Sequence, residues 1–394
     1  MPTWVAVPDD SGFGIDNLPY GVFAPPDAPP RVGVRIGNQV LDLAAALGDA
    51  VFAAPTLNPF MVQGPQRWSE VREQVTDLLA GECHRDRVES ALWPVSTVTL
   101  TLPFGVADYV DYYSSLHHAQ NVGRMFRPDE EPLKPNWRHL PVGYHGRSGT
   151  VVVSGTPVLR PSGQTKAPDA AAPSFGPSRR LDIEAEVGFV VGVPTRMGEP
   201  VAADALSEHV FGVVLCNDWS ARDIQAWEYV PLGPYLGKSF ATSISAWVTP
   251  LAALEAARVP QPPQEPTPLE YLQGTEPWGL DLVLEVRLND TVISQPPFAQ
   301  MYWTAAQQLA HMTVNGASLR TGDLYASGTV SGDQRDQRGS LLELTWSGAE
   351  PLTLADGSTR TFLEDGDTVT ITATAPAADG RRLALGDVIG TITP

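Results

Sequence analysis

Short apolar runs separated by glycine and proline dominate the chain from residue 104 onward, and they constrain its fold more than any other feature. Each run has a length that is typical of a strand. The runs are TVVVSGTPVL, EAEVGFVVGV, DLVLEVRLN, SLLELTWSG and DTVTITATA. Strands at this spacing, with few helices between them, predict a mainly β fold built as a sandwich or roll.

Two segments interrupt the β pattern and are predicted helices. One is DYYSSLHHAQNVGRMF, which we expect to begin at Asp111, and the other is MYWTAAQQLAHMTV, which ends before Asn315-Gly316. Residues 161–178 and 259–268 are rich in proline and predict surface loops.

The first hundred residues differ in character from the rest. They combine short β patterns, such as RVGVRIG and STVTLTL, with the helix-like VREQVTDLLAGE, and they carry no dense group of polar side chains. Aromatic and polar residues become interleaved only from Phe104 onward. We therefore predict two domains, residues 1–103 and residues 104–394.

Charge excludes several function classes. The 394-residue chain has 26 basic and 45 acidic residues, a net charge of −19. Such a balance argues against nucleic acid, which requires a basic surface, and against an anionic membrane. No apolar run approaches the ~20 residues of a membrane span. Two cysteines without a CxxC motif, and an N-terminus without signal-peptide features, predict a protein of the reducing cytoplasm.

Acidic residues alternate with apolar ones in LDIEAEV, residues 181–187. This period of two predicts a half-buried strand with its three carboxylates on one face, ~7 Å apart. Like charges at that spacing repel each other unless a cation or solvent screens them. Glu184 and Glu186 are therefore candidate cation ligands, whereas Asp182 either joins them, supports them from outside or faces solvent.

Two further acids extend this set. Asp218 follows the apolar run VFGVVL, and Asp111 precedes the first predicted helix. Carboxylates without histidine or cysteine partners suit hard cations such as Mg²⁺ or Ca²⁺ better than zinc. Taken singly, Asp111 is as well explained by a helix N-cap and Asp218 by a turn.

His118 is a candidate general base. It lies seven residues after Asp111, so on one continuous helix the two side chains would share a face, ~10 Å apart along the axis. Histidine titrates near neutral pH and is the usual proton acceptor in catalysis. A structural role for His118 remains open from spacing alone.

The segment NDWSARDIQAWEYVPLGPYLGKSF, residues 217–240, concentrates polar groups. Arg222, Gln225 and Tyr229 follow helical spacing, so one face would present a cation and two hydrogen-bonding groups. This array could bind a carboxylate or stabilise an oxyanion, and it could also be the solvated face of an amphipathic helix. Its tail, GPYLGKS, lacks the spacing of a phosphate-binding loop.

Other enzyme classes lack their motifs. The sequence has no G-x-S-x-G elbow, no H-E-x-x-H zinc motif and no glycine-rich dinucleotide fingerprint after a strand.

Taken together, several segments resemble the fumarylacetoacetase family of carbon–carbon hydrolases. They cover most of residues 104–394, and SGFGIDNLPYGVF near the N-terminus is also similar to that family. The segments are DYVDYYSSLHHAQNVGRMFR, PNWRHLPVGYHGRSGTVVVSGTP, RRLDIEAEVGFVVG, FGVVLCNDWSARDIQAWEYVPLGPYLGKSFATSISAWV, MYWTAAQQL and VNGASLRTGDLYASGTVSG.

The resemblance implies a role for each matching residue. The implied ligands of a divalent cation, Mg²⁺ or Ca²⁺, are Asp111, Glu184, Glu186 and Asp218, with Lys238 and Thr242 beside them. The implied catalytic groups are His118 as general base, Glu343 as the acid that orients it, and Arg222, Gln225 and Lys238 around the oxyanion. The implied substrate contacts are Tyr113, Arg127, Tyr144, Tyr229 and Thr329.

The resemblance also implies a fold and an activity. The expected fold is a small N-terminal SH3-like β-barrel followed by a large mixed β-sandwich roll with a few helices, and the expected assembly is a homodimer. The expected reaction is the hydrolysis of 4-fumarylacetoacetate, a small diketo dicarboxylic acid, to fumarate and acetoacetate, the last step of tyrosine and phenylalanine breakdown.

Two alternatives stay open. Related enzymes use a similar metal face for acylpyruvate hydrolysis, oxaloacetate decarboxylation, or hydratase and isomerase reactions, although they tend to be shorter. A non-catalytic β protein that binds a cation or an anion is the second alternative, and it gives no reason for the pairing of His118 with Glu343.

Overall fold

The computed structural model describes residues 3–378 and 380–394, so residues 1, 2 and 379 of the two predicted domains lie outside the described residues. The α-helices of this part of the chain are α1 (Leu43–Leu47), α2 (Asn58–Met61), α3 (Pro65–Ala80), α4 (Arg85–Val88), α5 (Leu116–Phe126), α6 (Leu206–His209), α7 (Arg222–Glu228), α8 (Ala305–Thr313) and α9 (Leu341–Leu344).

Strands form the larger part of the architecture. The first group is β1 (Tyr20–Ala24), β2 (Arg31–Ile36), β3 (Gln39–Asp42), β4 (Leu92–Pro94), β5 (Thr99–Thr101), β6 (Tyr109–Tyr112), β7 (Gly143–His145), β8 (Val151–Val153), β9 (Val158–Leu159), β10 (Ser162–Thr165), β11 (Ser174–Pro177), β12 (Leu181–Asp182), β13 (Ala185–Val191) and β14 (Val210–Asp218). The second group is β15 (Ser220–Ala221), β16 (Thr242–Ile244), β17 (Trp247–Pro250), β18 (Arg258–Val259), β19 (Gly279–Leu280), β20 (Val283–Leu288), β21 (Thr291–Ser294), β22 (Leu324–Ala326), β23 (Leu352–Thr353), β24 (Thr359–Arg360), β25 (Thr368–Pro376), β26 (Arg382–Ala384) and β27 (Val388–Thr393).

The largest sheet has β13 and β14 near its centre. Its main path runs β4-β3-β2-β1-β17-β14-β13-β22-β6-β7, so strands from the first hundred residues continue the sheet that carries the later ones. Every residue of β13 and β14 is buried. Burial on both faces explains why these strands read as nearly continuous apolar runs rather than as alternating patterns.

A second sheet packs against the first. It runs β21-β20-β25-β27-β9, and the residues of β25 alternate between buried and partly exposed. Inward side chains such as Leu284 and Ile371 share one hydrophobic core with Val187 and Val213 of the large sheet. The mainly β prediction is thus confirmed as a mixed, sheet-dominated fold. The strand pairing of the described residues includes no closed barrel, so the SH3-like barrel stays a prediction.

Several local predictions are wrong. Residues 161–178, predicted as a loop, contain the antiparallel pair of β10 and β11. Two further differences concern the starts of helices. Asp111 does not begin a helix but lies in β6, and α5 begins at Leu116 with Ser115 as its N-cap, whose side chain accepts the N–H of His118 at 3.2 Å. The segment SLLELTWSG is not a strand, since it contains α9 with Ser340 as N-cap. In both places a serine that accepts a backbone N–H three residues later fixes the start of a helix.

The helices that position functional side chains are short. Within the described residues, no helix combines the length and the apolar character needed to cross a lipid bilayer.

Candidate active site

Four carboxylates converge from three strands and from the residue before one of them. Asp111 lies in β6, Glu186 in β13 and Asp218 at the end of β14, while Glu184 precedes β13. One oxygen of each lies within 4.8 Å of the others, and all four side chains are buried. The sheet register causes this convergence, because Glu186 pairs with Cys216 across β13 and β14, and β22 joins β6 to β13.

The segment LDIEAEV differs from its prediction. It forms two strands, β12 and β13, interrupted at residues 183 and 184, and all its residues are buried, so the predicted half-buried strand with a solvent face is wrong. Asp182 is fully buried and lies outside the group of four carboxylates.

The protein compensates the charge of the four carboxylates only in part, and Glu186 and Asp111 least. Both side-chain oxygens of Glu186 and Oδ1 of Asp111 are buried without a hydrogen-bond partner among the described residues. Burial and then the neighbouring charge of Asp111 raise the pKa of Glu186 well above its usual value. Burial and then the charge of Asp218 do the same to the pKa of Asp111. Unpartnered, buried carboxylate oxygens are the ligand set that Mg²⁺ and Ca²⁺ prefer, so these residues fit a divalent cation.

Lys238 supplies one positive charge to this cluster. Its Nζ donates to Glu184 and, at 2.8 Å, to Asp218, whose other oxygen accepts from Oγ1 of Thr242 at 2.6 Å. Burial lowers the pKa of Lys238, but the charges of Asp218 and Glu184 outweigh burial and raise it. Lys238 and the guanidinium of Arg222, 2.8 Å from Glu184, are two positive charges beside four carboxylates, so the cluster keeps an excess of negative charge.

A divalent cation is therefore expected to stabilise the fold. At a concentration about 100 times its Kd, a ligand that binds only the folded state adds roughly 2.7 kcal/mol, which corresponds to about 3 °C in Tm for a chain of this size. Thermal melting of the full chain in EDTA and then in excess Mg²⁺ or Ca²⁺ checks this. Equal melting temperatures in all three conditions would contradict a cation site here.

His118 and Glu343 form a buried pair on one side of the cluster. Nδ1 of His118 lies 2.7 Å from Oε2 of Glu343, which also accepts from Ser331 and Ser340 at 2.9 Å each. Asn121 donates to Oε1 at 3.0 Å. Burial raises the pKa of Glu343, but the charge of His118 and these hydrogen bonds outweigh it and lower the pKa. A carboxylate only accepts, so Nδ1 carries a proton toward Glu343, and Nε2 is the ring nitrogen that can take a proton from the cavity side.

Arg222 begins α7 on another side of the cluster. Its Nε donates to Asp182 at 2.7 Å, and its Nη1 contacts Glu184 at 2.8 Å and Gln225 at 3.3 Å. Nη2 is buried and has no partner in the described part of the chain. Burial lowers the pKa of Arg222, but the charges of Asp182 and Glu184 outweigh it and raise the pKa. Arg222 therefore stays charged, with one donor unused.

A cavity of about 470 Å³ is lined by members of the carboxylate cluster, by His118, by Lys238 and by Arg222. Its size matches a small-molecule site. Among the predicted site residues, those that line the cavity are Asp111, Tyr113, His118, Arg127, Tyr144, Glu184, Arg222, Gln225, Tyr229, Lys238 and Thr329. The other predicted site residues lie behind this lining, where they contact lining residues or other members of the carboxylate cluster. They are Glu186, Asp218, Thr242 and Glu343.

A glycine explains how Thr329 reaches the cavity. Gly328 has φ +77, and a Cβ at this position would lie 2.1 Å from the carbonyl oxygen of Tyr112. Only glycine allows that approach without displacing the backbone. Oγ1 of Thr329 and the hydroxyl of Tyr144 are buried without a partner among the described residues, so both can bind a ligand.

Sequence reasoning missed some supporting residues. Asn121, Ser331 and Ser340 fix the carboxylate of Glu343. The S-x-x-E spacing of Ser340 and Glu343 was a usable signal, because it is the pattern of a capping box at a helix start. Nothing in the sequence distinguishes Asn121 or Ser331.

Known proteins similar in sequence to this chain indicate one family. Two family models match the chain, "Fumarylacetoacetase N-terminal" over residues 16–103 and "Fumarylacetoacetate (FAA) hydrolase C-terminal" over residues 109–393. The chain is 48% identical to fumarylacetoacetase of Homo sapiens and 45% identical to that of Arabidopsis thaliana. Each alignment covers 100% of this chain and 99% of the relative.

Solved structures show the same fold at lower identity. A fumarylacetoacetate hydrolase from psychrophilic Exiguobacterium antarcticum has a TM-score of 0.58 at 16% identity, with 95% of this chain and 99% of that chain covered. Maleylpyruvate hydrolase from Sphingobium sp. SYK-6 has a TM-score of 0.54 at 15% identity, with 95% and 100% covered.

Proposed function

This chain belongs to the fumarylacetoacetase family, and from that premise we propose that it hydrolyses a carbon–carbon bond of 4-fumarylacetoacetate to give fumarate and acetoacetate. This is the last step of tyrosine and phenylalanine catabolism. The observation that carries the proposal is the meeting, at one cavity, of a buried four-carboxylate cluster and a His118–Glu343 pair.

His118 is the general base of the proposed mechanism. Water (pKa 15.7) is too weak a nucleophile to attack a ketone carbonyl at neutral pH, so a base must remove its proton as it attacks. Nε2 of His118 takes that proton, because Nδ1 is held by Glu343. The resulting imidazolium is stabilised by the buried carboxylate of Glu343. When the carbon–carbon bond breaks, its electron pair leaves with acetoacetate as a carbanion, and the imidazolium returns the proton to that carbon.

Three donors are available for the tetrahedral oxyanion. They are the unpartnered Nη2 of Arg222, the side-chain amide of Gln225 and the ammonium of Lys238, all on the cavity wall. A single donor aimed at an oxyanion is typically worth about 3 to 4 kcal/mol in the transition state.

The carboxylate cluster is the proposed site of Mg²⁺ or Ca²⁺. Asp111, Glu184, Glu186 and Asp218 would hold the ion, with Lys238 and Thr242 beside them. When bound, a divalent cation supplies Lewis-acid stabilisation of the negative charge that develops on a diketone oxygen.

Substrate recognition must place an anion in a protein of net charge −19. Arg127 at the end of α5 lines the cavity and supplies local positive charge. Its Nε makes no hydrogen bond within the described residues and lies 4.0 Å from Oε2 of Glu130. We assign Arg127, with Tyr113, Tyr144, Tyr229 and Thr329, to the binding of the substrate carboxylates and carbonyls.

Arg127→Gln is expected to raise KM about 10- to 100-fold with a much smaller change in kcat. A hydrogen bond to a charged group contributes about 1.5 to 3 kcal/mol, and this one serves ground state and transition state alike. Steady-state kinetics measures both constants. Arg124→Gln, an exposed position on the same helix, is the matched control and should behave as wild type. An unchanged KM in Arg127→Gln would remove this residue from substrate binding.

The test of the function is a comparison of substrates. The metal-loaded full chain is assayed side by side on fumarylacetoacetate, an acylpyruvate and oxaloacetate. We expect kcat/KM for fumarylacetoacetate to exceed the others by at least about 100-fold, which corresponds to the loss of two substrate contacts worth about 1.4 kcal/mol each. A preference for acylpyruvate or oxaloacetate would assign the chain to another branch of the fold. Metal-dependent melting without any turnover would indicate a non-catalytic binding protein.

We also propose that the chain forms a homodimer and acts in the cytoplasm. Its two domains would be residues 1–103, with a small SH3-like barrel, and residues 104–394. The two family matches support the division, and the two free cysteines, Cys83 and Cys216, support a reducing compartment. Light scattering during size-exclusion chromatography measures the assembly, and a mass of about one chain would contradict the dimer.

A further inference from the structure

Asp182 is a fully buried carboxylate that no role above uses. It lies outside the four-carboxylate cluster, yet its oxygens accept four hydrogen bonds. The donors are Nε of Arg222 at 2.7 Å and the backbone N–H groups of Leu341 at 2.7 Å, Ile183 at 2.8 Å and Leu342 at 3.1 Å. With this many donors the carboxylate is fixed in position.

These bonds connect two separate parts of the catalytic apparatus. Leu341 and Leu342 form the first turn of α9, the helix that carries Glu343. Arg222 begins α7, whose start is held by the pairing of β12 with β15, where Asp182 lies opposite Ser220. Asp182 therefore contacts the element that holds the base and the side chain that serves the oxyanion.

We propose that Asp182 is a positioning residue that sets Arg222 and the Glu343–His118 pair at a fixed separation across the cavity. This inference rests on the proposed function. Asp182 touches neither the cavity nor the four-carboxylate cluster, so it acts through these two neighbours.

Two carboxylates fix the orientation of the Arg222 guanidinium. Asp182 binds Nε, and Glu184 binds Nη1 at 2.8 Å, which together fix the plane of the guanidinium and leave Nη2 free. Without Asp182, Glu184 alone would attract the guanidinium toward the carboxylate cluster. Nη2 would then leave the position from which it can serve an oxyanion.

The orientation of Glu343 depends on the same carboxylate. A helix of four residues has little stability of its own, so its position is set by the groups that bind its ends. Asp182 accepts its first two N–H groups, which a buried site cannot offer to water. Losing these bonds would release α9 and lengthen the contact between Glu343 and His118.

Asp182→Asn is the test variant, because it keeps volume but places an NH₂ against one of these donors. We expect kcat to fall about 10- to 100-fold while KM changes less than about 3-fold, since misplacement of catalytic groups by about 1 Å costs rate rather than binding. Asp367→Asn is the matched control. Asp367 is also buried and bound to Arg360, at 2.9 Å, but it does not line the cavity, so this variant should lose stability and keep kcat.

A double-mutant cycle distinguishes positioning from general destabilisation. If Asp182 acts through Glu343, the two single variants should not have independent effects. The product of the fold-losses in kcat of Asp182→Asn and Glu343→Gln should then exceed the fold-loss of the double variant by at least about 5-fold. Fold-losses that simply multiply would overturn the inference, as would an unchanged kcat in Asp182→Asn.

A measurement on the free protein decides the inference independently of the substrate. The proton between His118 and Glu343 should give a low-field ¹H NMR resonance that is absent in Glu343→Gln. We expect this resonance to shift or broaden in Asp182→Asn and to be unchanged in Asp367→Asn. A wild type that does not turn over fumarylacetoacetate would reject the proposed function but not the positioning role. An unaltered resonance in Asp182→Asn would reject the positioning role, whatever the substrate.

Discussion

Replacing His118 by alanine is expected to lower kcat about 100- to 10,000-fold, the range in which a positioned general base contributes to catalysis. The Nε2 lone pair is the proton acceptor proposed for the attacking water, and no other histidine lines the cavity in the described part of the chain. The metal-induced rise in Tm should persist, because His118 is not a member of the carboxylate cluster. Steady-state kinetics and thermal melting of the same preparation measure both quantities.

His117 provides a matched control for this variant. It is the preceding residue of α5, is partly exposed and does not line the cavity, so His117→Ala should keep wild-type kcat. Glu343→Gln should lower kcat with His118 still present, because an amide cannot stabilise the imidazolium as a buried carboxylate does. A His118→Ala enzyme that retained full turnover would eliminate the proposed base.

Glu186→Gln is expected to reduce turnover at least about 1,000-fold and to remove the stabilisation by Mg²⁺ or Ca²⁺. Both oxygens of Glu186 lack partners among the described residues, so the side chain has no structural hydrogen bond to lose. In EDTA the variant should melt at or above the wild-type temperature, because one of the repelling buried charges is gone. Melting curves with EDTA and with excess metal, and activity under the same conditions, test this.

The combination of higher metal-free stability and lost activity separates a ligand role from misfolding. Glu285→Gln on β20 is the control, since Glu285 pairs with Arg287 at 2.8 Å in the second sheet and should leave activity and metal response unchanged. A Glu186→Gln protein that retained the metal-induced shift in Tm would exclude Glu186 as a ligand.

The sequence predicts the type of ligand that the carboxylates suit better than it predicts the burial and strand arrangement of the site. Like charges two residues apart pointed to a cation because Coulomb repulsion depends on spacing that a strand fixes. Repulsion between the carboxylates does not indicate whether they are buried. The alternating pattern predicts a solvent-exposed face, whereas every residue of this segment is buried. Continuous apolar runs on both neighbouring strands, VVGV and FGVVLC, were the available sign that this sheet is covered on both sides.

Long-range pairing explains what the sequence left out. Asp111 joins Glu186 only because β22 aligns β6 with β13, a relation set by tertiary contacts rather than by the local pattern. The same holds for Asp182, whose partners lie 40 and 159 residues away. The family resemblance supplied Glu343 as a functional residue, but its helix was misread as a strand because LLEL alternates too briefly to distinguish the two periods.

In the proposed mechanism, hydrolysis depends on a divalent cation held by the buried carboxylates. Calorimetric titration of metal-stripped protein with Mg²⁺ or Ca²⁺, with turnover of fumarylacetoacetate measured at each point, tests this dependence. We predict one cation bound per chain and a rate that rises in proportion to occupancy. Full turnover by the metal-free protein, or the absence of any binding, would exclude this role of the carboxylates.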